Sequence, residues 1–261
     1  MKTIKNISVA FIGSGNVATK LAQSLYKEGV SIKEIYSPTY ANAQELADTV
    51  DATPIESLNK ISENIDIIII SISDSALKEI DLPRFSDNTI ICHTSGSVNM
   101  DILNKHNNYG VFYPLQTFSK DIEVDIADIP FCIEGNTQEN QDKLMSLASV
   151  LSNNVSIITS LEREKMHLAA VFINNFTNAM YSIAEDLMQE SGLNFDYLKP
   201  LIKETANKAI KHSPREIQTG PAVRNDKSII NKHIRDLNNN EEYANIYKQL
   251  SDLIYKLKKK Q

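Results

Sequence analysis

Gly13-Ser14-Gly15-Asn16-Val17-Ala18 follows the pattern G-x-G-x-x-A, at the point where an apolar run, Ile7 to Ile12, gives way to a helical pattern starting at Asn16. The chemistry this spacing suits is anion binding. Gly13 permits a tight turn, Gly15 lets a pyrophosphate approach the backbone, and Ala18 lets helix and strand pack closely. The start of the helix adds free N–H groups and the positive end of its dipole. Gly13, Ser14, Gly15, Asn16 and Val17 are therefore expected to cradle the phosphates of a dinucleotide. An ordinary glycine turn is the alternative.

The group that selects between NAD and NADP should stand at the tip of the second strand, about 20 residues on. That tip reads Tyr36-Ser37-Pro38-Thr39 and has no carboxylate; Glu34 lies two residues inside the strand. A carboxylate would repel a 2′-phosphate, whereas Ser37 and Thr39 can donate hydrogen bonds to one. The expectation is NADP over NAD. Two further strand tips qualify for the same crevice: Ser71-Ile72-Ser73-Asp74, and Cys92-His93-Thr94-Ser95-Gly96-Ser97. Ser71, Ile72, Ser73, His93, Thr94 and Ser95 are expected near the cofactor and Ser97 near a substrate. A hydroxyl-rich loop bonding its own backbone is the plainer account of either.

These loops need a scaffold, and residues 1–160 alternate strand-like and helix-like segments. Strands are expected at Ile7 to Ile12, Ser31 to Tyr36, Ile65 to Ile72, Thr89 to Cys92, Gly110 to Tyr113, Phe131 to Glu134 and Val155 to Ile158. Helices are expected from Asn16 to about Lys27 and from Ala41 to Thr49. The consecutive Ile67, Ile68, Ile69 and Ile70 suit a strand covered on both faces. The fold class is α/β: a doubly wound, mostly parallel Rossmann sheet followed by an all-helical C-terminal domain. The boundary falls near residue 159, giving domains 1–159 and 160–261. From Leu161 to Glu190 the apolar positions keep a period near 3.6, which predicts one helix of about 30 residues, roughly 45 Å long. Further helices are expected at about 195–211, 227–238 and 241–259.

Composition narrows the function classes. The 261 residues are 42% apolar and 23% charged, with 8 Gly and 8 Pro, which are globular proportions. A net charge of −6 provides no basic face for nucleic acid. The cluster Lys256, Lys258, Lys259 and Lys260 is read as complementing a helix dipole. Cys92 and Cys132 lie in strand-like runs without metal spacing, so they read as buried thiols, and no metal is expected. Met1 to Asn6 leads into a strand with no signal-like apolar region, and no run approaches about 18 apolar residues. A cytoplasmic protein that does not enter membranes is expected.

On the turn Gly13–Ala18, on His93-Thr94-Ser95-Gly96-Ser97, on Tyr113-Pro114-Leu115-Gln116-Thr117-Phe118, on Arg163 to Asn175 and on Gln218-Thr219-Gly220-Pro221-Ala222 with Arg224, the chain resembles a family of NADP oxidoreductases. These join a Rossmann-like domain to an all-helical domain of unknown function. More distantly it is similar to pyrroline-5-carboxylate reductase, ketopantoate reductase and the β-hydroxyacid dehydrogenases. The resemblance implies helices that complete the site and a homodimer formed through them.

A reductase of this type must supply a proton to the heteroatom of a C=O or C=N group. His167 leads the candidates for that role. On an uninterrupted helix His167, Asn174 and Asn178 fall close to one face, with Asn175 one step round. Structural hydrogen bonding between helices or subunits is the alternative. β-Hydroxyacid dehydrogenases carry a Lys four residues before the corresponding Asn; here that residue is Val171. His93 is the second candidate, as a His able to titrate near neutrality, or else a loop cap. Gln116, Thr117, Asn175, Gln218 and Arg224 are candidate substrate contacts, Arg224 as a carboxylate clamp or simply a surface salt bridge. The function expected is NADP-dependent hydride transfer to or from a small carbonyl or imine compound. The alternative is a dinucleotide-binding sensor or regulatory protein without that chemistry.

Overall fold

The computed structural model describes residues 7–260, so the Met1 to Asn6 lead lies outside the described residues. Eight strands form one sheet: β1 (Ser8–Ile12), β2 (Ser31–Tyr36), β3 (Thr53–Ile55), β4 (Ile67–Ile70), β5 (Ile90–His93), β6 (Tyr109–Pro114), β7 (Phe131–Gly135) and β8 (Val155–Ile157). Their order is β3-β2-β1-β4-β5-β6-β7-β8. All neighbours are parallel except β6 and β7. Strand order reverses between β1 and β4, and it is outside the carboxyl ends of such strands that open α/β sheets bind ligands.

The expected strands are all present within two residues of their ends. β3 was not expected: it is three residues long and contains Pro54, a residue that lacks a ladder N–H. It survives because it is an edge, paired only to β2. The isoleucines of β4 are all buried. Fully burying such a side chain stabilises the fold by about 1.5–3 kcal/mol each. Helices α1 (Asn16–Lys27), α2 (Tyr40–Thr49), α3 (Asp74–Glu79) and α4 (Gln138–Leu151) make the connections. Leu21 and Leu25 of α1 share one core with Leu144 and Leu147 of α4.

The long helix departs from expectation at its middle. α5 (Ser160–Val171) starts from a capping box in which Thr159 and Glu162 satisfy each other's backbone N–H groups. A π-helical turn, Phe172–Phe176, then separates it from α6 (Thr177–Glu190). The run ends at Gly192, whose φ of +67° needs glycine. The reading of His167, Asn174 and Asn178 as one polar stripe assumed an uninterrupted helix, and the π turn interrupts it.

The last strand ends at Ile157, and the first compact unit extends through α5 to Asn175. From Phe176 onward a second unit holds α6, a 3₁₀ turn at Phe195–Leu198, α7 (Lys199–Lys211), α8 (Lys227–Asp236) and α9 (Glu241–Lys259). His233 of α8 and Tyr247 of α9 are hydrogen-bonded at 2.8 Å. Lys256, Lys258 and Lys259 lie in the last turn of α9, and the Lys259 ammonium stands over the Tyr255 ring. Among the described residues, no helix is long and apolar enough to cross a membrane.

Candidate functional site

A cleft of about 670 Å³ opens at the carboxyl ends of β1, β4 and β5. Its floor is built by the glycine turn. The ladder runs on past the strands: Gly13 N–H donates to Tyr36 O, Ser71 N–H to Ile12 O and Thr94 N–H to Ile70 O, at 2.8–3.0 Å. Gly13 has φ +117°, and a Cβ there would stand 2.1 Å from the Ser71 carbonyl. Only glycine fits. Gly15 faces open space, with nothing within 4 Å of where its Cβ would be. It precedes α1, whose first turn has neither a side-chain cap nor an acidic residue. A helix start left bare in this way, lining a cleft, fits a dinucleotide diphosphate.

Beside the turn, the Ser14 hydroxyl donates to that of Ser37 at 3.0 Å, and both are buried cleft-wall residues. Glu34 is turned away; its carboxylate accepts from the backbone N–H and the hydroxyl of Ser62. Thr39 is the residue before α2 and is exposed outside the cleft lining. Asn16, Val17, Ser71, Ile72, Ser73, Thr94 and Ser95 do line it. Thr94 donates to Ser71 Oγ at 3.1 Å, tying two strand tips together. The Ser73 hydroxyl caps α3, and that of Ser95 accepts from the N–H groups of Ser97 and Val98.

His93 stands behind the wall. It is fully buried, its Nδ1 accepts from the Ser95 N–H at 3.1 Å, and its Nε2 has no partner. Burial, with the nearby Arg163 guanidinium, pushes its pKa down to about 3. This corrects the expectation of near-neutral titration: the imidazole is neutral and shapes the loop. Arg163 is itself wholly buried. It pairs with Glu134 at 2.8 Å and donates to the Val98 carbonyl and to Ser160 Oγ. Glu134 also accepts from the N–H and hydroxyl of Ser160, which fixes the start of α5 to β7.

That anchoring brings His167 to the cleft. Its Nδ1 lies 3.0 Å from the Tyr113 hydroxyl, and both line the cleft with Gly96. A Cβ on Gly96 would stand 2.5 Å from His167 Nδ1 and 2.8 Å from Tyr113 Cζ, so the pair closes on the one residue without a side chain. Burial raises the Tyr113 phenol to about 12. Asp74 lines the cleft too and accepts from the Ser97 hydroxyl. Burial opposes its charge, but hydrogen bonds from Ser97 and Ser95 and the field of His167 outweigh this and hold its carboxyl below the ordinary range.

Gln116 lines the cleft, while Ser97 and Thr117 are exposed beyond it. Asn174 donates to the Thr117 hydroxyl, and Asn175 is exposed. Gln218 and Arg224 are exposed residues of the second unit, Gln218 beside a small hollow formed with Arg215 and Leu257. Tyr113, Gly96, Asp74, Asn42 and Lys120 join the cleft without having been singled out. Tyr113, Gly96 and Asp74 stood inside motifs quoted above; nothing local marked Asn42 or Lys120.

Residues 8–91 match a family model described as NADP oxidoreductase, coenzyme F420-dependent. Residues 129–254 match a domain of unknown function, DUF2520. A solved structure from Bacteroides fragilis, provisionally assigned as an NADP oxidoreductase, is 40% identical over 97% of this chain and 100% of its own, with a TM-score of 0.91. A protein from Thermotoga maritima aligns over 96% of this chain and 99% of its own, at 19% identity and a TM-score of 0.77. The 1-pyrroline-5-carboxylate reductase of Streptococcus pyogenes aligns over 96% and 98%, at 13% identity and 0.61. These last two are likenesses of fold. No curated protein matches the sequence.

Proposed function

Because this chain belongs to the family of NADP oxidoreductases that couple a Rossmann-like domain to a helical DUF2520 region, we propose that it reduces or oxidises a small carbonyl or imine compound with NADP(H). When bound, the nicotinamide supplies or accepts the hydride. The residues of the chain do the rest. The glycine turn and the bare start of α1 hold the diphosphate. The Tyr113 hydroxyl and His167 Nδ1 share a hydrogen bond of 3.0 Å whose direction follows the imidazole tautomer, and this pair is positioned to pass a proton to the substrate heteroatom. Asp74 keeps a negative charge near that imidazole.

The observation that carries this reading is the His167–Tyr113 pair in the same cleft as the glycine turn. It is tested by measuring NADPH binding and NADPH oxidation across a panel of small carbonyl and imine compounds. Binding with turnover on at least one compound supports the reading. Binding without any turnover would favour a sensor or regulatory protein instead.

The second unit supports a homodimer. Among the described residues from Phe176 on, only Ala222 and Ser251 are buried. Ile210 is 81% exposed and Tyr197 75%, with Leu201, Leu193 and Leu253 also open. Helices with so little interior of their own need an apolar face to cover them, and a second copy is the partner that the resemblance implies. Sedimentation of the full chain at micromolar concentration should give twice the 29.3 kDa mass. The free buried thiols of Cys92 and Cys132 suit a reducing compartment, and we assign the protein to the cytoplasm.

A further inference from the structure

The β2 tip lacks any cation for a 2′-phosphate, but the fold brings one from elsewhere. Lys120 sits in the loop between β6 and β7, far from Ser37 in sequence, yet it lines the same cleft as Ser37, Pro38 and Asn42. Its Nζ is 3.8 Å from the Glu45 carboxylate, one turn beyond Asn42 on α2. That places the ammonium at the α2 end of the cleft, where the adenosine ribose lies in a Rossmann site. Its own carbonyl accepts from the Lys20 Nζ of α1 at 2.8 Å. The loop is thus tied to α1 beside the cleft.

Three features make Lys120 the discriminating group. Among the described residues that line the cleft it is the one lysine or arginine. Its contact with Glu45 is beyond hydrogen-bonding reach and partly open to solvent, the two side chains being 37% and 68% exposed, so a stronger anion can take its place. The carboxylate that would oppose such an anion from β2, Glu34, is committed to Ser62. A 2′-phosphate carries a charge of about −1.5 to −2, whereas a 2′-hydroxyl carries none, so an ammonium here favours one cofactor strongly over the other.

We infer that Lys120, assisted by the Ser37 hydroxyl and the Asn42 amide, binds the 2′-phosphate of NADP and is the residue that sets the preference over NAD. The inference rests on the dinucleotide reading above and adds the source of its specificity. The test is direct binding, by titrating the full chain with NADPH and NADH and following nicotinamide fluorescence. The wild type should bind NADPH at least about tenfold tighter than NADH. Lys120→Ala should lose about tenfold in NADPH affinity with NADH unchanged, and Lys120→Arg should retain most of the preference. A Lys120→Ala protein that keeps the full preference, or that weakens equally for both cofactors, overturns the inference and leaves the dinucleotide reading intact. Equal wild-type affinity for the two does the same. A wild type that binds neither overturns both.

Discussion

The Tyr113 hydroxyl and His167 Nδ1 stand 3.0 Å apart across the cleft, one on a strand of the sheet and the other on the helix that leaves it. The buried Arg163–Glu134 pair sets that distance by pinning the start of α5 to β7. The proton donation proposed for this pair would depend on a joint between two elements, and this makes each part of it separately testable.

If His167 gives the proton, His167→Ala should lower kcat by roughly 10²–10⁴ with NADPH affinity unchanged, as for loss of a general acid. Tyr113→Phe should lower kcat less, because the imidazole stays but loses the partner that fixes its tautomer. A His167→Ala enzyme with wild-type turnover on the substrate found by panel screening would remove it from the mechanism.

Gly96→Ala puts a methyl group 2.5 Å from His167 Nδ1. The pair must then separate, so activity should fall towards that of His167→Ala. The strain should cost about 1–3 kcal/mol of stability, read from denaturant unfolding. Wild-type activity in this variant would show that the pair can open without consequence.

Ser37→Asp introduces at the β2 tip the carboxylate whose absence points to NADP. It should weaken NADPH binding and shift the preference towards NADH, measured as a ratio of dissociation constants. An unchanged ratio would mean that position 37 does not face the ribose.

Arg163→Met leaves Glu134 and the Val98 carbonyl without their buried partner. Breaking such a pair costs about 3–5 kcal/mol, whereas replacing both members by apolar residues costs less. The double variant Arg163→Met/Glu134→Leu should therefore be more stable in denaturant than the single one. The reverse order would show that the two side chains act independently.

His93 is neutral in the folded protein, with a pKa of about 3 against about 6.5 when unfolded. The unfolded chain binds more protons between those values. Stability is thus fully present above about pH 6.5 and is lost as pH falls towards 3, by up to about 1.4 kcal/mol per pH unit from this group. His93→Gln should flatten that part of the stability curve. Identical pH dependence in the two proteins would place the titrating group elsewhere.

The sequence by itself determined what lies within a short window of chain. The Ile7–Ile12 run, the glycines and the helical pattern from Asn16 stand side by side, so the strand, turn and uncapped helix were legible together. The isoleucines of β4 marked a strand covered on both faces for the same local reason, since alternation and helical period are set by neighbours along the chain. β3 escaped because three residues with a proline have no period to read, and they are a strand only by pairing with β2. The π turn likewise breaks a period that composition alone continues through Phe172–Phe176.

Only the tertiary structure decided which side chains meet. The order of strands placed Tyr113 against His167, buried His93, and carried Lys120 to the cleft. Each outcome is a contact between residues far apart in sequence, set by sheet order and by how α5 is pinned to β7. No local preference of the chain encodes it.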